Sequence, residues 1–176
     1  MKTETLPAVA SRPVYQEVKK NDCSECHVFI CDGSLSDEAE SVFLSCDSEQ
    51  RMLISGLTTD DADQSLESLI ESFPLATTIY LSGSESFIWS VSELCQGKGI
   101  CQEQIRYFSP ETHVRSIFCC HCYHRTEQVT HNPSVCGGCG RLLTITDHFS
   151  RKNSSYFSYQ ANAEVSEEIP DPVELR

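Results

Sequence analysis

The first 110 residues alternate short apolar runs with amphipathic segments. His27 to Cys31 is an apolar run that ends at Asp32-Gly33, a pattern typical of a strand followed by a turn. The other runs that we predict as strands are apolar or rich in β-branched and aromatic residues: Ser41 to Cys46, Arg51 to Ser55, Ala76 to Ser82 and Gln104 to Phe108.

Two amphipathic helices are predicted between these strands. The first starts at Thr58 to Asp61, where acidic residues suit a helix N-terminus, and stops at Pro74. The second follows Gly83-Ser84 and ends at Gly97 to Gly99. Both carry apolar residues at helical spacing: Leu66, Leu69, Ile70 and Phe73, then Phe87, Ile88, Val91, Leu94 and Cys95. This alternation predicts an α/β fold with a small, mostly parallel sheet flanked by helices.

The segment from Ile79 to Phe87, with the helix and strand after it, resembles the end of the nicotinamide-binding domain of ferredoxin reductase-type flavoenzymes. Gly83 matches that family, whereas Ser82 and Ser84 replace its cysteine and proline. No Gly-x-Gly-x-x-Gly follows the first predicted strand, and acidic residues from Asp32 to Glu38 stand where a pyrophosphate would lie. We therefore expect a reductase-like nucleotide-domain fold that does not bind NAD(P)H, and we assign no catalytic or cofactor-binding residue.

Four cysteines form two Cys-x-x-Cys pairs, Cys119/Cys122 and Cys136/Cys139, separated by thirteen residues. Each pair presents two thiolates from one tight turn, and two facing turns complete the all-sulfur tetrahedral cage that zinc prefers. The spacing predicts a C-terminal zinc ribbon with these four residues as metal ligands. Glycines at 137, 138 and 140 favour tight backbone turns around the second pair.

Other donors and another metal compete with this assignment. Cys120, His121 and His124 crowd the first pair, and we expect them to be exposed or to support the ligands. Iron is the rival metal, because rubredoxin-type sites also use two Cys-x-x-Cys-Gly turns, but Tyr123 replaces the first of those glycines. A second metal site is an alternative at four donors within nine residues: Cys23, Cys26, His27 and Cys31.

Charge is distributed unevenly along the chain, whose formal net charge is −13. Residues 32–72 contain eleven Asp and Glu against Arg51, a balance of −10, whereas residues 106–152 contain six Arg and Lys against three acids, a balance of +3. Neither half favours nucleic-acid binding. The eleven cysteines, the polar N-terminus and the lack of a long apolar run predict a cytoplasmic protein without a membrane span.

Residues after the second cysteine pair suggest a family. The run from Cys136 to Arg151, which includes Asp147-His-Phe-Ser-Arg151, and then Ser155-Tyr156 and Ala163-Glu-Val165, resembles the small zinc-ribbon subunit of bacterial dimethylamine monooxygenase, a relative of the haem-dependent oxidative N-demethylases. Asn162 and Ser166-Glu167 depart from the family pattern. His148 has two interpretations: a histidine held for catalysis, or a residue with a packing or interface role.

The resemblance implies a subunit of an oxygenase that converts dimethylamine to methylamine and formaldehyde with oxygen and NADPH. It further implies that haem lies in a large subunit and that flavin and an iron–sulfur cluster lie in a reductase subunit. This chain would bind zinc alone and act in assembly, without carrying the catalytic centre. Alternatives are an unrelated zinc-ribbon adaptor and a rubredoxin-like electron carrier.

The predicted organisation is an N-terminal extension (1–22), an α/β domain (23–112), a zinc ribbon (113–150) and an extended acidic tail (151–176). Aromatic residues near the start of the tail lie in a stretch that is too short and polar to form its own core. We expect them to anchor against a partner subunit. They are Phe149, Tyr156, Phe157 and Tyr159.

Overall fold

The computed structural model describes residues 11–57, 62–163 and 171–175. The chain divides into two compact units. We call residues 15–114 and 151–154 the α/β unit. The described residues of the other unit are 11–14, 115–150, 155–163 and 171–175, and we call this the C-terminal β unit. No described helix has both the length and the apolar character needed to cross a membrane.

The α/β unit contains a four-stranded parallel sheet in the order β2-β1-β3-β4. The predicted α/β fold with a parallel sheet is therefore confirmed for this unit, and the arrangement is doubly wound, because the chain winds outward in both directions from the central pair β1 and β3. Its elements are β1 Cys26–Cys31, α1 Asp37–Ser45, β2 Arg51–Ile54, α2 Ala62–Glu71, β3 Thr77–Ser82, α3 Glu85–Gly97 and β4 Ile105–Tyr107.

The prediction of a strand at Ser41 to Cys46 is wrong, because these residues belong to α1 and its C-terminal cap. The Ser36 side chain accepts a hydrogen bond from the Ala39 amide, and acidic residues occupy the first turn of α1. Apolar residues then follow at helical spacing, which the β-branched and aromatic composition concealed: Ala39, Val42, Phe43 and Cys46. The predicted start of the next helix, Thr58 to Asp61, lies outside the described residues.

An aromatic cluster fills one face of the parallel sheet. Phe29 of β1 stacks on Tyr80 of β3 with ring centroids 4.4 Å apart, and Phe43 of α1 meets Phe29 edge-on. Phe108 joins this cluster, and Phe29, Tyr80 and Phe108 are all fully buried. Because side chains alternate along a strand, the neighbours of Phe29 point to the opposite face.

The C-terminal β unit contains a mixed five-stranded sheet in the order β6-β5-β10-β9-β8. The prediction of a ribbon followed by an extended tail is therefore only partly reproduced, since β10 lies between β5 and β9 inside the sheet. Arg115 is buried with its guanidinium 4.5 Å from the centre of the Tyr156 ring. The strands are β5 Arg115–Cys119, β6 Arg125–Val129, β7 His131–Asn132, β8 Ser134–Val135, β9 Leu142–Ser150, β10 Ser155–Gln160 and β11 Val173–Glu174, the last paired with β7.

Candidate metal centre

The strands of the C-terminal β unit place the four predicted ligands at two turns. Cys119 ends β5, and Cys122 lies in the turn that leads to β6. Cys136 follows β8 directly, and Cys139 lies in the turn before β9. The pairing of β8 with β9 closes the second turn in the same way as the pairing of β5 with β6 closes the first. We call these turns the first and second knuckles.

All four sulfurs converge on one point. The Sγ atoms of Cys119 and Cys139 are 3.9 Å apart, those of Cys122 and Cys136 are 3.6 Å apart, and all four lie within 4.8 Å of one another. Tetrahedral zinc with bonds of about 2.3 Å separates its sulfur ligands by about 3.8 Å. The spacing of the thiols therefore fits a zinc ion at their centre.

The two knuckles share one hydrogen-bonding pattern. In the first, the amide of Tyr123 donates to the carbonyl of Cys119 over 2.9 Å, and the Cys119 amide donates to His124 over 3.0 Å. In the second, the amide of Gly140 donates to the carbonyl of Cys136 over 3.0 Å, and the Cys136 amide donates to Arg141 over 2.8 Å. The residue after the second cysteine has positive φ in both, 62° at Tyr123 and 71° at Gly140.

The sulfurs differ in their ease of ionisation. Burial opposes ionisation of Cys136, but hydrogen bonds from the backbone of Cys139 and Gly138 and from neighbouring thiols outweigh it and lower the pKa of Cys136 to about 6. At Cys122 a hydrogen bond from the His124 backbone favours the thiolate. Burial and the three other cysteines outweigh that bond and raise the pKa of Cys122 to about 12. Four adjacent thiolates would repel one another, and a divalent cation at their centre would offset that repulsion.

The competing donors of the first knuckle are not part of the four-sulfur cluster. Within the described residues, the group suited to a metal ion consists of the four cysteines and includes neither His121 nor His124. Cys120 and His121 are exposed. The His124 side chain lies so close to Gly138 that a Cβ atom there would come within 2.6 Å of the His124 Cβ. Contact between the two knuckles therefore requires glycine at this position.

The alternative second metal site is not assembled in the described structure. Cys23 is exposed and precedes β1, while Cys31, at the far end of β1, is buried. His27 is fully buried, and its Nδ1 lies 3.3 Å from the Tyr80 hydroxyl. The extended strand separates these donors, so they do not meet around one point.

A crevice of about 280 Å³ lies at the carboxyl edge of the parallel sheet, between the ends of β1 and β3. The Asp32 carboxylate lies at the N-terminal end of α3, where it accepts hydrogen bonds from the amide and the hydroxyl of Ser84. A Cβ atom on Gly83 would lie 2.4 Å from that carboxylate. A pyrophosphate at this helix N-terminus would meet a carboxylate already in place, so our prediction stays that this unit does not bind NAD(P)H.

The Asp147 to Arg151 motif contributes packing and ion pairs. Asp147 lies 3.7 Å from the Arg115 guanidinium and 3.9 Å from that of Arg12. Phe149 packs edge-on against Tyr156, and both rings are buried. His148 is exposed, and its amide donates to the Thr146 hydroxyl. These contacts favour the packing interpretation of the motif over the catalytic one.

The four aromatic residues expected to anchor a partner separate into two pairs. Phe149 and Tyr156 are buried inside the C-terminal β unit, so their expected role at an interface is wrong. Phe157 and Tyr159 alternate with buried residues along β10 and point outward, with 37% and 52% of their surfaces exposed. These two remain available to a partner.

Residues 116–158 match the family model described as "Dimethylamine monooxygenase subunit DmmA-like, C-terminal domain". The resemblance is confirmed. The matched segment contains all four cysteines of the cluster, β5 apart from its first residue, all of β6 to β9 and the first part of β10. No curated protein and no solved structure matches the chain significantly. The dimethylamine monooxygenase match therefore concerns the C-terminal β unit.

Proposed function

We propose that this protein is the small, zinc-binding subunit of a multicomponent dimethylamine monooxygenase. The observation that carries the proposal is the match of residues 116–158 to a subunit of that enzyme, over the segment that contains the four-cysteine cluster. The family reaction is oxidative N-demethylation of dimethylamine to methylamine and formaldehyde. In this assignment haem belongs to a large partner subunit, and flavin with an iron–sulfur cluster belongs to a reductase partner.

Zinc is held by Cys119, Cys122, Cys136 and Cys139 in this proposal. A closed site with four sulfur ligands leaves no position for a substrate or a water molecule, so the bound ion supplies structural bonds between the knuckles. The Gly137 amide of the second knuckle donates to the Thr126 hydroxyl, and the Cys119 amide donates to the His124 carbonyl within the first knuckle, so the chain orients both sulfur pairs around the ion. The role is therefore structural.

Assembly is the activity that this arrangement serves. We assign no catalytic residue to the chain, since His148 is exposed and its motif is engaged in packing and ion pairs. With zinc bound between the two knuckles, the C-terminal β unit would present a metal-supported surface, which suits a subunit that positions other proteins. Substrate oxidation and electron transfer then take place in the partner subunits.

Metal analysis tests the zinc assignment. Protein purified without added metal should contain about one zinc per chain and should be colourless. Iron in the four-sulfur site would colour the protein and support the rubredoxin-like electron carrier. That result would replace the structural role with electron transfer.

Co-purification tests the oxygenase assignment. A tagged form of the full chain is coexpressed with the haem-containing subunit and the flavin/iron–sulfur reductase, and the captured proteins are identified by mass spectrometry and visible absorption. We expect at least one of the two partners to be retained in stoichiometric amount. If neither partner is retained and dimethylamine oxidation proceeds equally without the chain, the proposed function is wrong.

A further inference from the structure

The crevice at the carboxyl edge of the parallel sheet has no role in the proposed function. It lies where the winding of the chain reverses, since β1 leads through α1 to β2 on one side and β3 leads through α3 to β4 on the other. Doubly wound sheets bind their ligands at this point, outside the carboxyl ends of the strands. The position of the crevice therefore indicates a ligand-binding site.

The crevice has the size for a small ligand. Its volume of about 280 Å³ lies just below the range of roughly 300–1,000 Å³ that is typical of small-molecule sites. Its walls come from the ends of three neighbouring strands and the residues after them, within 32–36, 82–84 and 109–112. All of these residues belong to the α/β unit, so one unit forms the whole of the described crevice.

The lining of the crevice is hydroxylic and acidic. Six of its described residues are serine or threonine and two are the acids Asp32 and Glu111, whereas none of them is Lys, Arg or His. Neither carboxylate forms an ion pair with a described residue. Such a site repels phosphates and carboxylates and attracts a cation. The hydroxyl oxygens can accept further hydrogen bonds from that cation.

Hydrogen bonds orient the Asp32 carboxylate before any ligand binds. Its Oδ2 atom accepts from the Ser84 amide over 2.9 Å and from the Ser84 hydroxyl over 2.8 Å, while no described residue donates to its Oδ1 atom. The buried Ser82 hydroxyl accepts from the Ser36 amide, which joins the segments that follow β3 and β1. The carboxylate therefore keeps acceptor capacity in an orientation that its neighbours set.

An organic cation suits this crevice better than a metal ion does. Among the described residues, the group of donors close enough to hold a metal ion is the four-cysteine cluster, which includes neither carboxylate of the crevice. A protonated amine needs no such convergence, because its N–H groups donate to separate acceptors and its alkyl groups occupy the remaining space. Charge-assisted hydrogen bonds of this kind are about twice as strong as neutral ones.

We propose that the crevice is a binding site for a small protonated amine. The choice of dimethylammonium as its ligand rests on the proposed function, whose substrate is a secondary amine that is protonated at neutral pH. This ion has two N–H donors, one for Asp32 and one for Glu111, and its methyl groups carry no further hydrogen-bonding demand. In this arrangement the small subunit binds the amine that the partner subunits oxidise.

Titration of the full, zinc-loaded chain with dimethylammonium chloride tests the site. Backbone amide resonances are followed by NMR, and sodium chloride at equal ionic strength is the reference, because it screens surface charge without donating hydrogen bonds. We expect saturable shifts at the amides of residues 32–36, 82–84 and 109–112 with dimethylammonium, and no saturable shift there with sodium.

Three variants remove one negative charge each. Asp32→Asn keeps an oxygen that can accept from Ser84 but loses its charge, and it should weaken binding of dimethylammonium about tenfold. Glu111→Gln, at an exposed position, should weaken it about threefold. Glu40→Gln, at an exposed acid of α1 outside the lining, is the matched control and should bind normally. Ser109→Phe narrows the crevice without a change of charge and should also weaken binding.

Two results would overturn the amine site. Equal shifts with dimethylammonium and sodium, or undiminished binding in Asp32→Asn and Glu111→Gln, would show that the crevice does not bind the amine. Saturable shifts with glycerol at the same concentration would show a site for neutral polyols instead. The proposed function is tested separately by co-purification. A chain that retains its partners but binds no amine leaves the proposed function standing, whereas a chain that binds the amine but neither partner overturns the proposed function and leaves the amine site in place.

Discussion

The two units of this protein differ in how many large side chains they bury. Of the twelve largest fully buried side chains among the described residues, nine lie in the α/β unit and three, Ile117, Leu143 and Tyr156, lie in the C-terminal β unit. The β unit has the four-cysteine cluster instead. A small sheet with few large buried side chains gains from metal bonds what apolar burial does not supply. The comparison indicates that metal should matter to one unit and packing to the other.

Removing two of the cysteine ligands should have the largest effect, and that effect should be confined to the C-terminal β unit. In the Cys136→Ser, Cys139→Ser double variant we expect zinc to be lost and amide exchange to accelerate throughout the C-terminal β unit, because zinc binding contributes folding free energy directly. Exchange in β1 and β3 should change little. Mass spectrometry of exchange in the full chain measures both units together. Cys120→Ser, at the exposed cysteine beside the ligands, is the matched control and should retain the metal.

A cavity in the aromatic core should destabilise the α/β unit and leave the C-terminal β unit unchanged. Phe29 is fully buried between Tyr80 and Phe43, so Phe29→Ala should lower the free energy of unfolding of the α/β unit by about 3–5 kcal/mol. Denaturant titration measures this loss, and zinc content should be unchanged. Leu75→Ala, at an exposed position, should fall within about 0.5 kcal/mol of the wild type. Loss of zinc in Phe29→Ala would contradict the separation between the units.

Acid should weaken the α/β unit through His27. Burial, followed by the nearby charge of Lys20, lowers the pKa of His27 below its ordinary value of 6.5, against smaller opposing effects of Asp22 and Asp47. The unfolded chain therefore binds the proton more readily. Stability contributed by neutral His27 is complete above pH 6.5 and is lost as pH falls below it, at up to about 1.4 kcal/mol per pH unit.

Unfolding of the α/β unit between pH 5 and pH 8 tests this prediction, followed by the fluorescence of Trp89, which lies in that unit. The variant His27→Gln cannot titrate, so this part of its pH dependence should disappear even if its stability at pH 8 is lower. An unchanged slope in His27→Gln would show that another group causes the acid sensitivity.

The smallest expected effect comes from substitutions at Tyr123 and Gly140, the equivalent positions of the two knuckles. Gly140→Ala forces a Cβ atom into positive φ and should cost about 1 kcal/mol, measured as a lower thermal midpoint of the zinc-loaded protein. Tyr123→Gly relieves the same strain and should leave the midpoint unchanged or raise it. Equal destabilisation by both variants would mean that the Tyr123 side chain supports the fold.

Local patterns were sufficient to predict much of this structure. Apolar runs located β1, β2, β3 and β4, helical spacing located α2 and α3, and cysteine spacing selected the four residues that converge. Composition misled at Ser41 to Cys46, where the Ser36 cap and the acidic first turn indicated a helix. The position of β10 between β5 and β9 depends on pairing between distant residues, which local periodicity does not encode. For the same reason Phe149 and Tyr156 were expected at an interface, although they lie in the core.

The contact between the Phe118 and Phe157 rings also depended on that distant pairing. Phe118 and Phe157 are 39 positions apart and meet only because β5 and β10 are neighbours. Tyr123 did carry a sequence signal, since it stands where Gly140 follows the other cysteine pair. Comparing the two knuckles residue by residue is what reveals an aromatic side chain in place of the expected glycine.

Reconstitution of dimethylamine oxidation tests the central claim most directly, that this chain is an assembly subunit of the oxygenase. The haem-containing subunit and the reductase are held at fixed concentration, the zinc-loaded chain is added, and formaldehyde release from dimethylamine with NADPH and oxygen is measured. We predict that the rate increases with added chain and saturates at a fixed stoichiometric ratio. We also predict that the Cys136→Ser, Cys139→Ser variant gives no increase. An unchanged rate across the whole titration, with no complex formed, would contradict the account.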